Sequence, residues 1–264
     1  MSQEQQKTFC PQDYHSTFDP DAYLEHYFSK KAIEQGTRVS LFALPVFAHI
    51  IQQTVPAEKR QTLLDIGAGP TVYSALCFRD VVQRVYLTDY VEKNLDLLRV
   101  WMKGDSPYDW TPTIKVIRRT EGGGGSPTND SYTEDEEKAK DLVRRGGIHF
   151  ADVHCDPVVP DLAGRQSDIL LTIFTLESAC QNYDQYVKCV RNIVAQLRSG
   201  GKFIIGSVLE DDEYNSGKQL IFSLLHLTEE MILSALEMAG IDLSSAKKYV
   251  LPDEGVMFLM ATKL

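Results

Sequence analysis

The stretch "LLDIGAGPTVYSALCF" (residues 63–78) ends an apolar run in a carboxylate, Asp65, and follows it with two glycines, Gly67 and Gly69. Glycines there permit a tight turn and let a ligand approach the backbone with no Cβ in the way. A second acid, Asp89 in "VYLTDY", lies 20 residues beyond Gly69. That is the interval at which an acid closing the next strand hydrogen-bonds ribose hydroxyls. Pro70 removes one N–H where a pyrophosphate would be cradled, and Tyr73 stands near the place of a third glycine. A nicotinamide-dependent oxidoreductase shares the strand, the two glycines and the ribose acid, but needs the glycine that Tyr73 replaces. A nucleoside cofactor without phosphates fits better. S-adenosylmethionine is the leading candidate, with its adenosine on one side and its zwitterionic methionine tail over the glycine turn. Asp152 in "HFADV" follows the predicted third strand and is placed to accept from the adenine amino group, with Val153 against the ring.

The elements around these residues read as α/β. "PDAYLEHYFSKKAIEQ" and "VSLFALPVFAHIIQQTV" carry apolar residues at helical intervals, with Pro45 as a possible kink or break in the second. From residue 62 strands and helices alternate: "TLLDIG", "TVYSALCFRDV", "QRVYLTDY", "VEKNLDLLRVWMKG", then "IHFADV", "SDILLTIFT", "YDQYVKCVRNIVAQL" and "GGKFIIGSVL". Short connections in such an alternation predict a doubly wound parallel sheet, and "TEEMILSALEMAG" and "GVMFLMATKL" add a last helix and strand. The reading is one domain over 1–264, with an N-terminal arm and helical cap at 1–60 and a core at 61–264. Residues 121–147, four glycines running into a polar and then highly charged stretch, are expected to be a flexible, solvated insertion that buries little apolar surface.

Composition narrows the chemistry. The formal charge of −10 with scattered Lys and Arg disfavours nucleic acid and tolerates a cationic small molecule. The longest apolar runs, "IKVI", "DILLTIF" and "KFIIGSVL", are strand-sized, so no membrane span is expected. A polar N-terminus without an apolar core and five cysteines without a C-x-x-C pair predict a cytoplasmic protein with reduced thiols, read here as a monomer. The six histidines show no metal-ligand spacing, and His149 and His154 flank Asp152 without a third ligand in sequence, so no metal is expected.

The motifs "FDPDAYLEHYF", "LLDIGAGPTVY", "LTDYVEKNLDLLRVW", "YDWTP", "LESAC" and "EGVMFLMATKL" resemble the small-molecule amine N-methyltransferases, the family that includes nicotinamide, phenylethanolamine and indolethylamine N-methyltransferases. The resemblance implies a Rossmann-like methyltransferase sheet with an N-terminal helical cap. It also implies a cofactor site on Tyr23, Phe28, Gly67, Ala68, Thr71, Tyr73, Asp89, Tyr90, Asn94, Asp152, Val153 and Ile173. Phe28 follows Tyr27 where the family has a second tyrosine, and Ile173 stands where relatives have a small residue.

Transfer of a methyl group from a sulfonium to an amine needs an unprotonated lone pair in line with the S–CH₃ bond, so positioning dominates. A carboxylate can bind the arriving ammonium and accept its proton. The resemblance puts Glu177 and Asp211 in that role, because acidic residues occupy those positions in relatives that methylate aliphatic amines. Tyr14, Tyr23, Tyr27, Phe174 and Tyr214 are expected to wall an aromatic acceptor. The nicotinamide-methylating member holds its carboxamide with an Asp and a Ser, whereas this chain has Ser207 at the Asp position and Asp211 near the Ser position. The expected activity is N-methylation of a small amine or pyridine, such as nicotinamide or an arylalkylamine. The alternative is a catalytically inactive S-adenosylmethionine-binding protein acting as a ligand sensor, which loss of aromatic or acceptor residues would mark.

Overall fold

A computed structural model describes residues 7–35, 39–122 and 129–264. The cap comes first: α1 (Pro20–Phe28), α2 (Lys30–Gln35) and α3 (Val39–Thr54). The Asp19 carboxylate caps α1 by accepting from Ala22 N at 3.0 Å, with Pro20 at the first helical position where its missing N–H costs nothing. In α3 the buried residues Ala43, Leu44, Phe47, Ala48 and Ile51 recur on one helical face. That face stays in register across Pro45, which sits inside a continuous helix and does not break it.

The sheet that follows has seven strands: β1 (Thr62–Ile66), β2 (Arg84–Asp89), β3 (Gly147–Phe150), β4 (Ser167–Ile173), β5 (Leu197–Val208), β6 (Ile241–Leu251) and β7 (Val256–Lys263). Their order is β3-β2-β1-β4-β5-β7-β6, with β7 antiparallel to both neighbours and the other pairs parallel. Leu63, Leu64, Asp65 and Ile66 are all buried, as expected of a central strand covered on both faces. The strand order reverses beside β1, and in doubly wound sheets the crevice at that point, outside the carboxyl ends of the strands, is where ligands bind. β6 was not expected from the sequence. "IDLSSAKKYVL" lies on the sheet edge, where lysines and serines face water and discourage further pairing, so the apolar signal of a strand is diluted.

Between strands lie α4 (Tyr73–Cys77), α5 (Glu92–Lys103), α6 (Thr111–Thr120), α7 (Asn129–Gly146), α8 (Tyr183–Ala195) and α9 (Glu229–Met238). The apolar run "IKVI" belongs to α6, not to a strand. The expectation for residues 121–147 also needs correcting. The part at 123–128 lies outside the described residues, but α7 packs on β2 and on α4 to α6. It buries Tyr132, Asp135, Ala139, Leu142 and Val143 at helical intervals. Its charges pair off: Asp135 lies 3.1 Å from Arg79 and 2.5 Å from Arg118, and Lys140 bridges Glu136 and Glu137. At its end a Cβ on Gly146 would fall 2.0 Å from the Val85 carbonyl, so only glycine lets the helix close onto β2. The charged composition concealed a narrow apolar stripe.

A small sheet of Thr8–Phe9, Ile221–Ser223 and Glu213–Asn215 ties the N-terminal arm to the excursion after β5. Gly217, at φ +107, meets α1 so closely that a Cβ would lie 2.5 Å from Ala22 O. This contact seats the excursion on the cap. Among the described residues, no helix is long and apolar enough to cross a membrane.

If α7 is a core element, Leu142→Ala should lower unfolding free energy by about 2–4 kcal/mol. Replacing Glu134, exposed on the same helix, with Ala should change it by no more than about 0.5 kcal/mol. Urea denaturation of the two variants decides between a packed helix and a solvated insertion, which would leave both near the parent.

Candidate active site

After β1 the chain turns at Gly67 (φ +78) and Gly69 (φ +61), both in the region that favours glycine. The N–H groups of Gly67 and Ala68 donate to Thr88 O at 3.0 and 2.9 Å, so β2 holds the turn in place. The two glycines serve different needs. A Cβ on Gly67 would lie 2.3 Å from the Thr175 side chain, whereas one on Gly69 would meet nothing within 4 Å. Gly67 allows the turn to pack on the β4 end, and Gly69 borders open space. Beneath the turn the buried Asp65 carboxyl accepts from the Ser74 hydroxyl, and burial pushes its pKa up to about 7.

Asp89 closes β2 and is buried. Its carboxylate accepts from Gly69 N (2.8 Å), Val91 N (2.8 Å) and Asn94 Nδ2 (2.9 Å). Burial raises its pKa and these donors oppose the rise. Asn94 Oδ1 is buried with no hydrogen-bond partner. An orphaned acceptor beside a carboxylate, both on a cavity wall, is the donor-seeking pattern that ribose hydroxyls satisfy. The cavity measures about 290 Å³. Of the twelve residues expected to hold the cofactor, Tyr23, Gly67, Ala68, Thr71, Tyr73, Asp89, Tyr90, Asn94, Asp152, Val153 and Ile173 line it. Phe28 does not. It stacks on Tyr73, with ring centroids 5.6 Å apart, and faces the neighbouring cavity.

That second cavity, about 230 Å³, shares Tyr23, Tyr73, Phe174, Ser178 and Tyr214 with the first. Phe174 sits at φ +54, unusual for an aromatic residue. Its N–H donates to Gly206 O at 2.8 Å, and its ring meets Phe258 edge-on. Tyr27 lines the second cavity, and its hydroxyl donates to Asn215 O at 2.7 Å. The hydroxyls of Tyr14 and Tyr214 are 2.7 Å apart, with Tyr14 on the first cavity and not the second.

Glu177 is the buried acid of the second cavity. It lies on the one-turn helix Leu176–Ala179 after β4 and accepts from Val208 N at 2.8 Å. Burial is the main cause that lifts its pKa to about 7, opposed by this N–H and by the Ser207 hydroxyl. Ser207 itself is buried, its hydroxyl donates to Val208 O at 3.2 Å, and it lines neither cavity, contrary to its expected place on the acceptor wall. Asp211 is also displaced from its expected role. The chain leaves the sheet at Glu210 (φ +55), and Asp211 is exposed beyond it, its carboxylate accepting from Asp212 N. It lines neither cavity. Sequence reading missed Thr175, Ser178, Phe18 and Gln185 on the first cavity. Ser178, inside "LESAC", and Phe18, at the head of "FDPDAYLEHYF", lay within the quoted motifs; Thr175 and Gln185 carried no signal.

The sheet order, the glycine turn and the acid closing β2 define a Rossmann-like methyltransferase fold. A solved structure shares this fold: magnesium protoporphyrin IX methyltransferase from Synechocystis, solved with bound SAM, superposes with a TM-score of 0.55 at 12% identity, covering 96% of this chain and 95% of that one. The model of the NNMT/PNMT/TEMT family matches residues 6–264, and the chain belongs to that family. It is 29% identical over 261 residues to rabbit (Oryctolagus cuniculus) indolethylamine N-methyltransferase, covering 95% of each chain. It is 28% identical over 264 residues to human nicotinamide N-methyltransferase, again with 95% of each covered. These relatives are enzymes, which favours catalysis over the ligand-sensor alternative.

Two outcomes follow from the buried acids. Asp89→Ala should weaken S-adenosylmethionine binding by about 2–4 kcal/mol, roughly 30-fold to 1000-fold, measured by calorimetry on protein whose folded state is verified by circular dichroism. For Glu177, a folded-state pKa of about 7 against an ordinary 4.5 means its contribution to stability is full below pH 4.5 and lost as pH rises through 7. Glu177→Gln should therefore stabilise the ligand-free protein at pH 8 by on the order of 1–3 kcal/mol and change little at pH 4, read from urea denaturation at both values. Equal effects at the two pH values would contradict the assignment.

Proposed function

We propose that this protein is an S-adenosylmethionine-dependent N-methyltransferase whose acceptor is a small amine or pyridine, with Glu177 as the acid that receives the acceptor's positive charge. One observation carries this reading: an aromatic-walled cavity holding a buried carboxyl adjoins the cofactor cavity and shares five residues with it. When bound, S-adenosylmethionine supplies an electrophilic methyl group on a sulfonium. Asp89 and Asn94 would hold the ribose, Asp152 and Val153 the adenine edge and face, and the Gly67–Gly69 turn the methionine tail.

Tyr23, Tyr73, Phe174 and Tyr214, common to both cavities, would frame the junction at which the methyl group meets the acceptor nitrogen and exclude water from it, which strengthens every charge interaction inside. An arriving ammonium lowers the pKa of Glu177, so the carboxylate forms where the cation needs it. The acid can then take the ammonium proton and release a lone pair for attack. A pyridine arrives unprotonated and gains charge on methylation, so for it the carboxylate only stabilises developing charge. Asp211, exposed in the loop after β5, has no part in this scheme. We read the protein further as a cytosolic monomer acting on a free small molecule, a reading supported by its acidic composition and its five free cysteines.

The reading is tested by assaying methyl transfer across nicotinamide, pyridines, phenylethanolamines, tryptamines and aliphatic amines. Glu177→Gln should lower kcat/KM on an aliphatic amine by roughly 10²-fold to 10⁴-fold, and on a pyridine by less, with cofactor affinity unchanged. For the parent on an aliphatic amine, kcat/KM should fall as pH drops below about 7 because Glu177 becomes neutral. A variant that methylates both acceptors at the parental rate would remove Glu177 from the reaction.

A further inference from the structure

The fold gathers three ligand-type side chains that the sequence keeps apart. His154 lies two residues past Asp152, Cys180 follows the Leu176–Ala179 turn, and Cys189 lies within α8. The imidazole and both thiols offer ligand atoms that all lie within 4.8 Å of one another. Cys189 Sγ is 3.4 Å from His154 Nδ1. The other ring nitrogen, Nε2, is 3.0 Å from Ala179 O. A carbonyl can only accept, so Nε2 carries the proton and Nδ1 presents its lone pair to the thiol side. This is the arrangement that orients a metal-binding histidine.

Distances fit as well. Zinc at about 2.3 Å from sulfur and 2.0 Å from nitrogen with a tetrahedral angle separates the two ligand atoms by about 3.5 Å, against the 3.4 Å found here. A disulfide between the two cysteines would use neither the lone pair nor its orientation. Both cysteines are buried while His154 is exposed and lines the first cavity, so an ion would enter from that side.

We propose that Cys180, Cys189 and His154 form a binding site for a thiophilic divalent cation of the zinc class, with water completing a tetrahedral shell. Both thiols lose their protons to solvent as the ion binds, so uptake weakens at low pH. The bound ion ties the 152–155 turn to α8 and to the residue three past Glu177, joining the walls of the two cavities. The expectation of no metal rested on spacing along the chain, and here the ligands come from three separate elements.

The test titrates the reduced full-length protein with Co²⁺ in the absence of oxygen, without methyl donor or acceptor, so its outcome is independent of the methyl-transfer reading. A single equivalent should bind, with thiolate-to-cobalt charge transfer and the intense visible bands of tetrahedral cobalt, and one equivalent of Zn²⁺ should bleach both. Cys180→Ser and Cys189→Ser should each reduce the charge-transfer band. His154→Gln should keep part of it while weakening binding at least about 100-fold, because changes even one shell further out cost about 10-fold to 100-fold. Cys155→Ser, beside His154 but outside the cluster, should bind as the parent does. Failure of the parent to take up a stoichiometric ion overturns the proposal, as does a band left undiminished by Cys189→Ser or lost in Cys155→Ser.

Discussion

The Asp89 carboxylate is the constraint on which the site depends. A buried anion needs compensation, and this one obtains it from the N–H groups of Gly69, Val91 and Asn94. Those donors come from the turn after β1, the turn after β2 and the first turn of α5. One charge therefore fixes three backbone segments at the place where the strand order reverses. Thr88 adds the carbonyl that receives Gly67 and Ala68. The glycine turn is thus held open by its neighbours, and Gly69 keeps its exposed face free of side chain.

A second group of contacts shapes the second cavity, the proposed acceptor side. Phe174 adopts a left-handed conformation costing on the order of 1–3 kcal/mol, offset locally by its bond to Gly206 and by packing on Phe258. That bend throws its ring between the two cavities and starts the short helix that carries Glu177 inward. The cap closes the other side through Tyr23 and Tyr27, and the Gly217 contact fixes the excursion that brings Tyr214 to the seam. The two cavities are therefore products of one set of backbone bends, and their shared aromatic lining follows from that.

The central strands and the wall of the first cavity were legible in the sequence because the physics there is local. Asp65, Gly67, Gly69 and Asp89 lie at strand ends, and their interval along the chain reports their relation in space. Elsewhere the evidence was distributed. The edge strand Ile241–Leu251 reads as polar because an edge must discourage pairing. α7 reads as solvated because four buried apolar residues, Tyr132, Ala139, Leu142 and Val143, are spread among many charges. Phe28 and Tyr73 are far apart in the chain, and only their stacking puts Phe28 on the second cavity. The exposure of Asp211 follows from a turn at Glu210 with no glycine to announce it. The family resemblance supplied Glu177, whose burial no local pattern indicates.

The central claim is that one buried acid positions a nucleoside cofactor and another, across the aromatic seam, faces the acceptor nitrogen. A crystal structure with S-adenosylhomocysteine and an arylalkylamine tests it most directly. The account predicts ribose hydroxyls on Asp89 with Asn94 Oδ1 satisfied, and the amine nitrogen between the cofactor sulfur and Glu177. Ribose density away from Asp89, or an amine whose nitrogen points away from Glu177 in the second cavity, would contradict it.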